Sequence, residues 1–188
     1  IIYELSRVFI YSHSINYIHK HLRPSNIFIY FNKNTNMDVK LVDFGATKCM
    51  YPNDKLSTLE GGSGYVTSYI NMKYHQYPAP EILLDYKHDT QVDSWFMGIL
   101  IYMIVTKGNI PFDGKNNDEI TDSILNKHAS FTHNEWIQSN IPPILDEIVT
   151  CLLIKSPKKR YNINHILFSK YINKIPLNNI INIVIINW

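Results

Sequence analysis

Residues 89 to 108 read DTQVDSWFMGILIYMIVTKG, and from Val92 to Val105 apolar side chains fall on nearly every face of a helix. A helix with no broad polar stripe must be enclosed by other elements on all sides, so this segment sets the centre of whatever fold the chain adopts. Asp89 or Thr90 supplies a capping oxygen at its start and Gly108 a stop at its end. The uninterrupted apolar run FMGILIYMIV, 96–105, is about half of the ~20 residues needed to cross a bilayer. Burial in protein, not in membrane, follows, and the rest of the chain must wrap this helix.

Several segments can do so. Residues 1 to about 14 place Ile1, Ile2, Leu5, Val8 and Phe9 at spacings of three, four and seven, which predicts an amphipathic helix with one face on a core. NNDEITDSILNKH (116–128), PPILDEIVTCLLI (142–154, prolines in its first turn) and NINHILFSKYI (162–172) each combine a start signal with apolar helical spacing. Between the first helix and the central one, NIFIYF (26–31) and VKLVDF (39–44) are β-branched and aromatic runs separated by NKNTNMD, a turn composition, so an antiparallel hairpin is expected. From Gly45 to Pro78 periodicity is lost, and a loop of that length inside a compact domain is usually functional or mobile. The expected fold class is mainly α, a helical bundle with one small β-hairpin. A chain of 188 residues with 45% hydrophobic composition can bury one such core.

The charge balance excludes little but points away from two partner classes. A formal charge of +2, with lysines and arginines spread along the chain, offers neither a nucleic-acid nor a membrane surface. Two distant cysteines, Cys49 and Cys151, form no metal-type spacing and fit a reducing, intracellular and cytoplasmic setting. The opening IIYELSRVF lacks methionine and has no leader pattern, so the front of the chain reads as truncated.

The densest chemistry lies in YIHKHLRPSNIFIY, 17–30, between the first helix and the hairpin. Taken in order, HKHLRPSN (19–26), DFG (43–45), APE (79–81), VDSWFMG (92–98) and Arg160 in KSPKKR resemble the catalytic loop H-R-D-L-K-P-x-N, D-F-G, A-P-E, D-x-W helix and late arginine of the eukaryotic protein kinase C-terminal lobe. The Trp136-containing stretch before the last helices is similar to the calcium- and calmodulin-dependent Ser/Thr group. The resemblance implies a truncated kinase C-lobe over 1–175 without its N-lobe, an activation segment over 43–81 and a tail over 176–188. It implies ATP, held with Mg²⁺ by Asn26 and Asp43, with His21, Arg23, Asn26 and Asp43 at the catalytic positions. It further implies that Asp93 accepts backbone N–H bonds from the catalytic loop, that Glu81 and Arg160 form a buried ion pair, that His19 is structural, and that Phe44 packs into the core.

The departures are specific. His21 stands where the family has the aspartate that accepts or orients the substrate hydroxyl proton, and a protonated imidazole there would oppose nearby metal ions. Lys20 replaces an arginine that grips a phosphorylated loop, Arg23 replaces the lysine that approaches the transferring phosphoryl, and Tyr74 stands where a threonine meets the catalytic aspartate. No G-x-G-x-x-G strand precedes the loop within the chain, and GGSG (61–64) lacks the third glycine and a following helix. Two functions stay open: a pseudokinase that binds or scaffolds a protein partner, or an active or weakly active ATP-dependent Ser/Thr kinase acting on a protein substrate. A gene fragment with no selected role is the third possibility.

Overall fold

The computed structural model describes residues 1–31, 37–44, 48–49, 77–131, 136 and 143–168. Helix α1 (Ile2–Ser14) leads to a two-residue strand β1 (Tyr17–Ile18), then to the hairpin β2 (Ile27–Phe31) and β3 (Met37–Leu41), and to β4 (Lys48–Cys49). The rest is helical: α2 (Pro80–Leu83), α3 (Gln91–Val105), α4 (Asn117–Asn126), α5 (Pro143–Leu152) and α6 (Ile163–Phe168). The expected hairpin turn at 32–36, the loop from 45 to 76 apart from Lys48 and Cys49, the GGSG stretch, Tyr74, the last turn expected in α6 and the 176–188 tail lie outside the described residues.

The apolar-all-round helix is the hub. Every residue of α3 from Val92 to Val105 is buried except the half-buried Ile104. Asp89 makes the capping contact, its Oδ1 accepting from the Gln91 N–H at 3.0 Å, while Thr90 caps with no side-chain bond. At the other end Lys107 (φ 57°) and Gly108 (φ 105°) both turn left-handed, and the Gly108 N–H reaches back to Met103 O at 2.8 Å, closing the last turn. Helix α3 packs on α5 and α6, and α6 packs in turn on α1. Gly98 permits the α3–α5 approach: a Cβ there would stand 2.9 Å from Leu153 Cδ2 and 3.0 Å from Leu152 Cβ. Trp95 stacks on Phe112 at 5.3 Å and donates its indole N–H to Tyr77 O at 3.0 Å, satisfying the one polar atom it buries. Trp136 stacks on Tyr102 at 4.9 Å, so both tryptophans are packing residues.

Boundaries moved where backbone geometry overrode pattern. Strand β3 was expected over 39–44 and runs Met37–Leu41 instead, in register Phe31↔Met37 through Ile27↔Leu41. It begins early because the hairpin pairing draws in Asp38, and it ends early because Asp43 takes φ 66°, which no strand tolerates. The hairpin alternates as a half-buried pair should, with Ile27, Ile29, Val39 and Leu41 against the core and Phe28 and Tyr30 outward. Helix α4, expected to reach 128, stops at Asn126 because Lys127 is already extended (ψ 151°). Its start is a reciprocal cap: Asn116 Oδ1 accepts from the Glu119 N–H, and Glu119 Oε2 accepts from the Lys115 N–H. The antiparallel pairing of β1 with β4 was not expected, since two residues carry no period.

Candidate functional site

The loop from His19 to Asn26 is held from below by one carboxylate. Asp93, fully buried in the first turn of α3, accepts the His19 N–H on Oδ2 at 3.0 Å and the Lys20 N–H on Oδ1 at 2.8 Å. His13, at the end of α1, donates its Nε2–H to the same Oδ2 at 2.8 Å. A buried carboxylate needs such donors, and these fix Lys20 in a left-handed conformation (φ 66°) that a lysine seldom adopts. The expected role of Asp93 is therefore present in full. His13 was not foreseen as its partner; its only signal was its place four residues after Phe9, on the buried side of α1.

His19 is structural, as expected. Its Nε2–H faces Val42 O at 3.3 Å and its Nδ1 accepts the His21 N–H at 3.2 Å, which fixes the neutral tautomer. Burial lowers its pKa below the ordinary imidazole value, against the opposing pull of Asp93. Phe44 corrects the expectation of a core aromatic: it is 49% exposed and rests edge-on against His19, 4.8 Å between ring centres. The left-handed turn at Asp43 ends the strand and directs the following residue to the rim, so the buried core stops at Phe9 and His19.

The four residues expected to form the site do converge. Pro24 to Asn26 form one 3₁₀ turn that points the Asn26 side chain inward, where its amide donates to His21 O at 2.8 Å and to Asp43 Oδ2 at 3.2 Å. His21 donates its Nδ1–H to the same Asp43 oxygen at 3.0 Å. Arg23 completes the group: its Nε donates to Asn26 Oδ1 at 3.3 Å, and its Nη2 lies 3.6 Å from Asp43 Oδ2. Burial lowers the His21 pKa and Arg23 lowers it further, against the Asp43 carboxylate. The imidazole is thus neutral near pH 7, with its proton on the nitrogen that faces Asp43. Lys20, within the loop, is buried, and its charge adds to the burial that lowers the His88 pKa.

An amide oxygen and a carboxylate are hard oxygen donors of the kind Mg²⁺ takes. Asn26 and Asp43 fit that ion in donor type; the Asn26 amide nitrogen faces Asp43 and its oxygen faces the Arg23 guanidinium, which also lies near Asp43.

The match of the chain to the protein kinase domain runs over residues 1–172. The chain belongs to the protein kinase family. It is 30% identical over 172 residues to calcium-dependent protein kinase 5 of Plasmodium falciparum, covering 91% of this chain and 27% of that protein. It is 32% identical over 165 residues to calcium-dependent protein kinase 5 of Plasmodium berghei, covering 87% and 26%. Calcium-dependent protein kinase 17 of Arabidopsis thaliana is 28% identical over 173 residues, covering 89% and 30%. The chain therefore spans under a third of the length of these relatives, and within the family it is similar to the calcium-dependent group. Protein kinases use ATP and Mg²⁺ and act on proteins. Among the described residues no helix is long and apolar enough to cross a membrane.

Proposed function

We propose that this protein kinase domain is a pseudokinase that binds or scaffolds a protein partner in the cytoplasm, with its phosphotransfer silenced at His21. The observation that supports the reading is the 3.0 Å contact of His21 Nδ1 with Asp43 Oδ2. In the kinase pattern two acidic side chains share this corner, one facing the substrate hydroxyl and one facing metal. Here the first is a neutral imidazole whose proton is directed at the second. It has no negative charge with which to draw a hydroxyl proton. Proton transfer and alignment of this kind supply ~10²- to 10⁴-fold in rate, and a loss on that scale is expected. Asn26 and Asp43 are the residues that would hold Mg²⁺, which when bound neutralises phosphate charge and orients the γ-phosphoryl group of ATP. Arg23, beside both of them, would contact the same phosphates.

A second reading has one observation in its favour. With the proton fixed on Nδ1 by Asp43, the lone pair of His21 is on Nε2, the arrangement of an oriented imidazole base. A weakly active Ser/Thr kinase would use it so. Phosphate transfer from Mg·ATP to a basic Ser/Thr peptide by the intact protein separates the two. The pseudokinase reading expects none in the wild type and measurable turnover in His21→Asp; turnover in the wild type that disappears in His21→Gln would establish the enzyme instead.

A further inference from the structure

His21 and Asp43 bring a ring nitrogen and a carboxylate oxygen together at one corner of the loop. Nδ1 of His21 lies 3.0 Å from Oδ2 of Asp43, and the two side chains are 20% and 38% exposed, so an ion from solvent can reach both. Two donors that far apart, each bonded to one ion at ~2.1 Å, subtend about 90° at it, the angle between neighbouring ligands of an octahedron. The hydrogen bond thus already holds the pair at chelating distance. What has to change is the direction of the Nδ1 lone pair, and the terminal torsion of a histidine is broad enough to swing it off the line to Asp43. The ring stays neutral, its single proton passing from Nδ1 to Nε2. Asn26 is held otherwise: its amide nitrogen donates to His21 O at 2.8 Å, which keeps its Oδ1 toward Arg23 Nε at 3.3 Å.

We propose that His21 Nδ1 and Asp43 Oδ2 together ligate a divalent first-row transition ion of the Co²⁺ or Zn²⁺ kind, in preference to Mg²⁺. Imidazole nitrogen suits those ions, whereas Mg²⁺ takes oxygen. In the kinase pattern position 21 carries a carboxylate near the metal. A neutral ring there withdraws negative charge, on which Mg²⁺ binding depends, and supplies a nitrogen, which a transition ion takes readily. Arg23 Nη2, 3.6 Å from Asp43 Oδ2, opposes every dication alike and so lowers affinity without changing that order. Among the described residues no three His, Cys, Asp or Glu side chains gather as a metal cage, so water or phosphate oxygens complete the coordination. For those phosphates the proposal rests on the nucleotide reading above; for its two protein ligands it does not.

The test uses the full chain labelled with ¹⁵N-histidine, without nucleotide, and Zn²⁺ as the probe. Long-range ¹H–¹⁵N spectra distinguish the two ring nitrogens, and the His21 signals are assigned by their absence from His21→Ala. Saturating Zn²⁺ is expected to move Nδ1 of His21 to a metal-bound shift while Nε2 carries the proton. Calorimetric titrations are expected to show Zn²⁺ binding at least about tenfold weaker in His21→Ala, the scale seen when groups that hold a metal are removed, with no loss of Mg²⁺ affinity. His21→Asp, which makes the corner all oxygen, is expected to lower the ratio of Zn²⁺ to Mg²⁺ affinity. Superimposable circular dichroism spectra in EDTA establish that the variants are folded, and the wild-type spectrum decides the proposal by itself. A His21 ring unmoved by millimolar Zn²⁺, Zn²⁺ bound through Nε2 instead of Nδ1, or equal Zn²⁺ affinity in wild type and His21→Ala overturns it. Zn²⁺ at Nδ1 with no ADP binding by the loaded protein supports the metal site and removes the nucleotide reading; ADP bound with Mg²⁺ beside a ring that Zn²⁺ leaves unmoved keeps that reading and overturns the metal site.

Discussion

Arg160 grips Glu81 across 79 positions of sequence with a two-point contact, Nη1 to Oε1 at 2.7 Å and Nη2 to Oε2 at 2.9 Å, both side chains buried. The remaining donors of the guanidinium are spent on carbonyls: Nε on Ile154 O at 2.9 Å, Nη1 on Gln91 O at 2.8 Å and Nη2 on Lys155 O at 3.2 Å. The pair thus ties α2, the start of α3 and the segment after α5 together. Its charges were taken out of water to do so, which makes the intact pair a weak net stabiliser but each half a costly orphan. Arg160→Ala or Glu81→Ala is expected to lower unfolding stability by ~3–5 kcal/mol in urea denaturation. Arg160→Lys should recover little of it, because an ammonium cannot reproduce the fork or reach the three carbonyls.

Asp93 carries three donors on two oxygens, so an isosteric amide cannot replace it. In Asp93→Asn, whichever way the amide turns, an NH₂ group faces either the Lys20 N–H or the His13 and His19 donors. One buried unsatisfied contact of this kind costs ~1–3 kcal/mol. The expected local effect is larger than the global one: amide exchange at His19 and Lys20 should quicken well before that of α3, because the left-handed Lys20 backbone loses what fixes it.

Much of this was legible from the chain alone, and the division follows physics. The enclosure of α3 could be read because a helix apolar on all faces admits one solution, and Asp93, Glu81 and Arg160 could be placed because a buried charge in a known pattern needs a known partner. Pattern failed where the backbone or a rotamer decides. Two residues of β1 have no periodicity to detect. The half-exposed position of Phe44 depends on the left-handed turn at Asp43, and aspartate tolerates that turn without announcing it. Arg23 was recognised as a changed phosphate contact, but its span of Asn26 and Asp43 is a matter of side-chain direction that spacing does not record.

Lys155 gives the stability a pH dependence that can be assigned. Its Nζ is buried with no hydrogen-bond partner among the described residues, 3.8 Å from the Phe112 ring centre and 5.2 Å from that of Trp95. Burial, with Arg160 adding to it, pushes its pKa down to about 7 from the ordinary 10.5. The unfolded chain therefore binds a proton between those values that the folded chain does not, so this group makes stability rise with pH from about 7 to 10.5. Its cost is fully present below pH 7. Lys155→Met, similar in length and free of charge, is expected to raise the melting temperature most at pH 6 to 7 and least near 10.5. A constant difference between the two proteins across that range would show that the amine is not desolvated.

His21→Asp changes both the charge and the size of the corner, and the change of charge has a definite consequence for cations. The wild-type imidazole gives Asp43 Oδ2 a hydrogen bond at 3.0 Å. An aspartate removes that donor and adds a second carboxylate beside the first. Two carboxylates in such proximity resist ionising together unless a cation lies between them. The variant is expected to melt several degrees lower than wild type in EDTA and to gain more than wild type does from millimolar Mg²⁺. A ligand that binds only the native state raises its stability by mass action, so the size of the Mg²⁺ shift reports the affinity that the substitution creates. A Mg²⁺ shift no larger in the variant than in wild type would mean that the imidazole at position 21 does not limit metal binding at this corner.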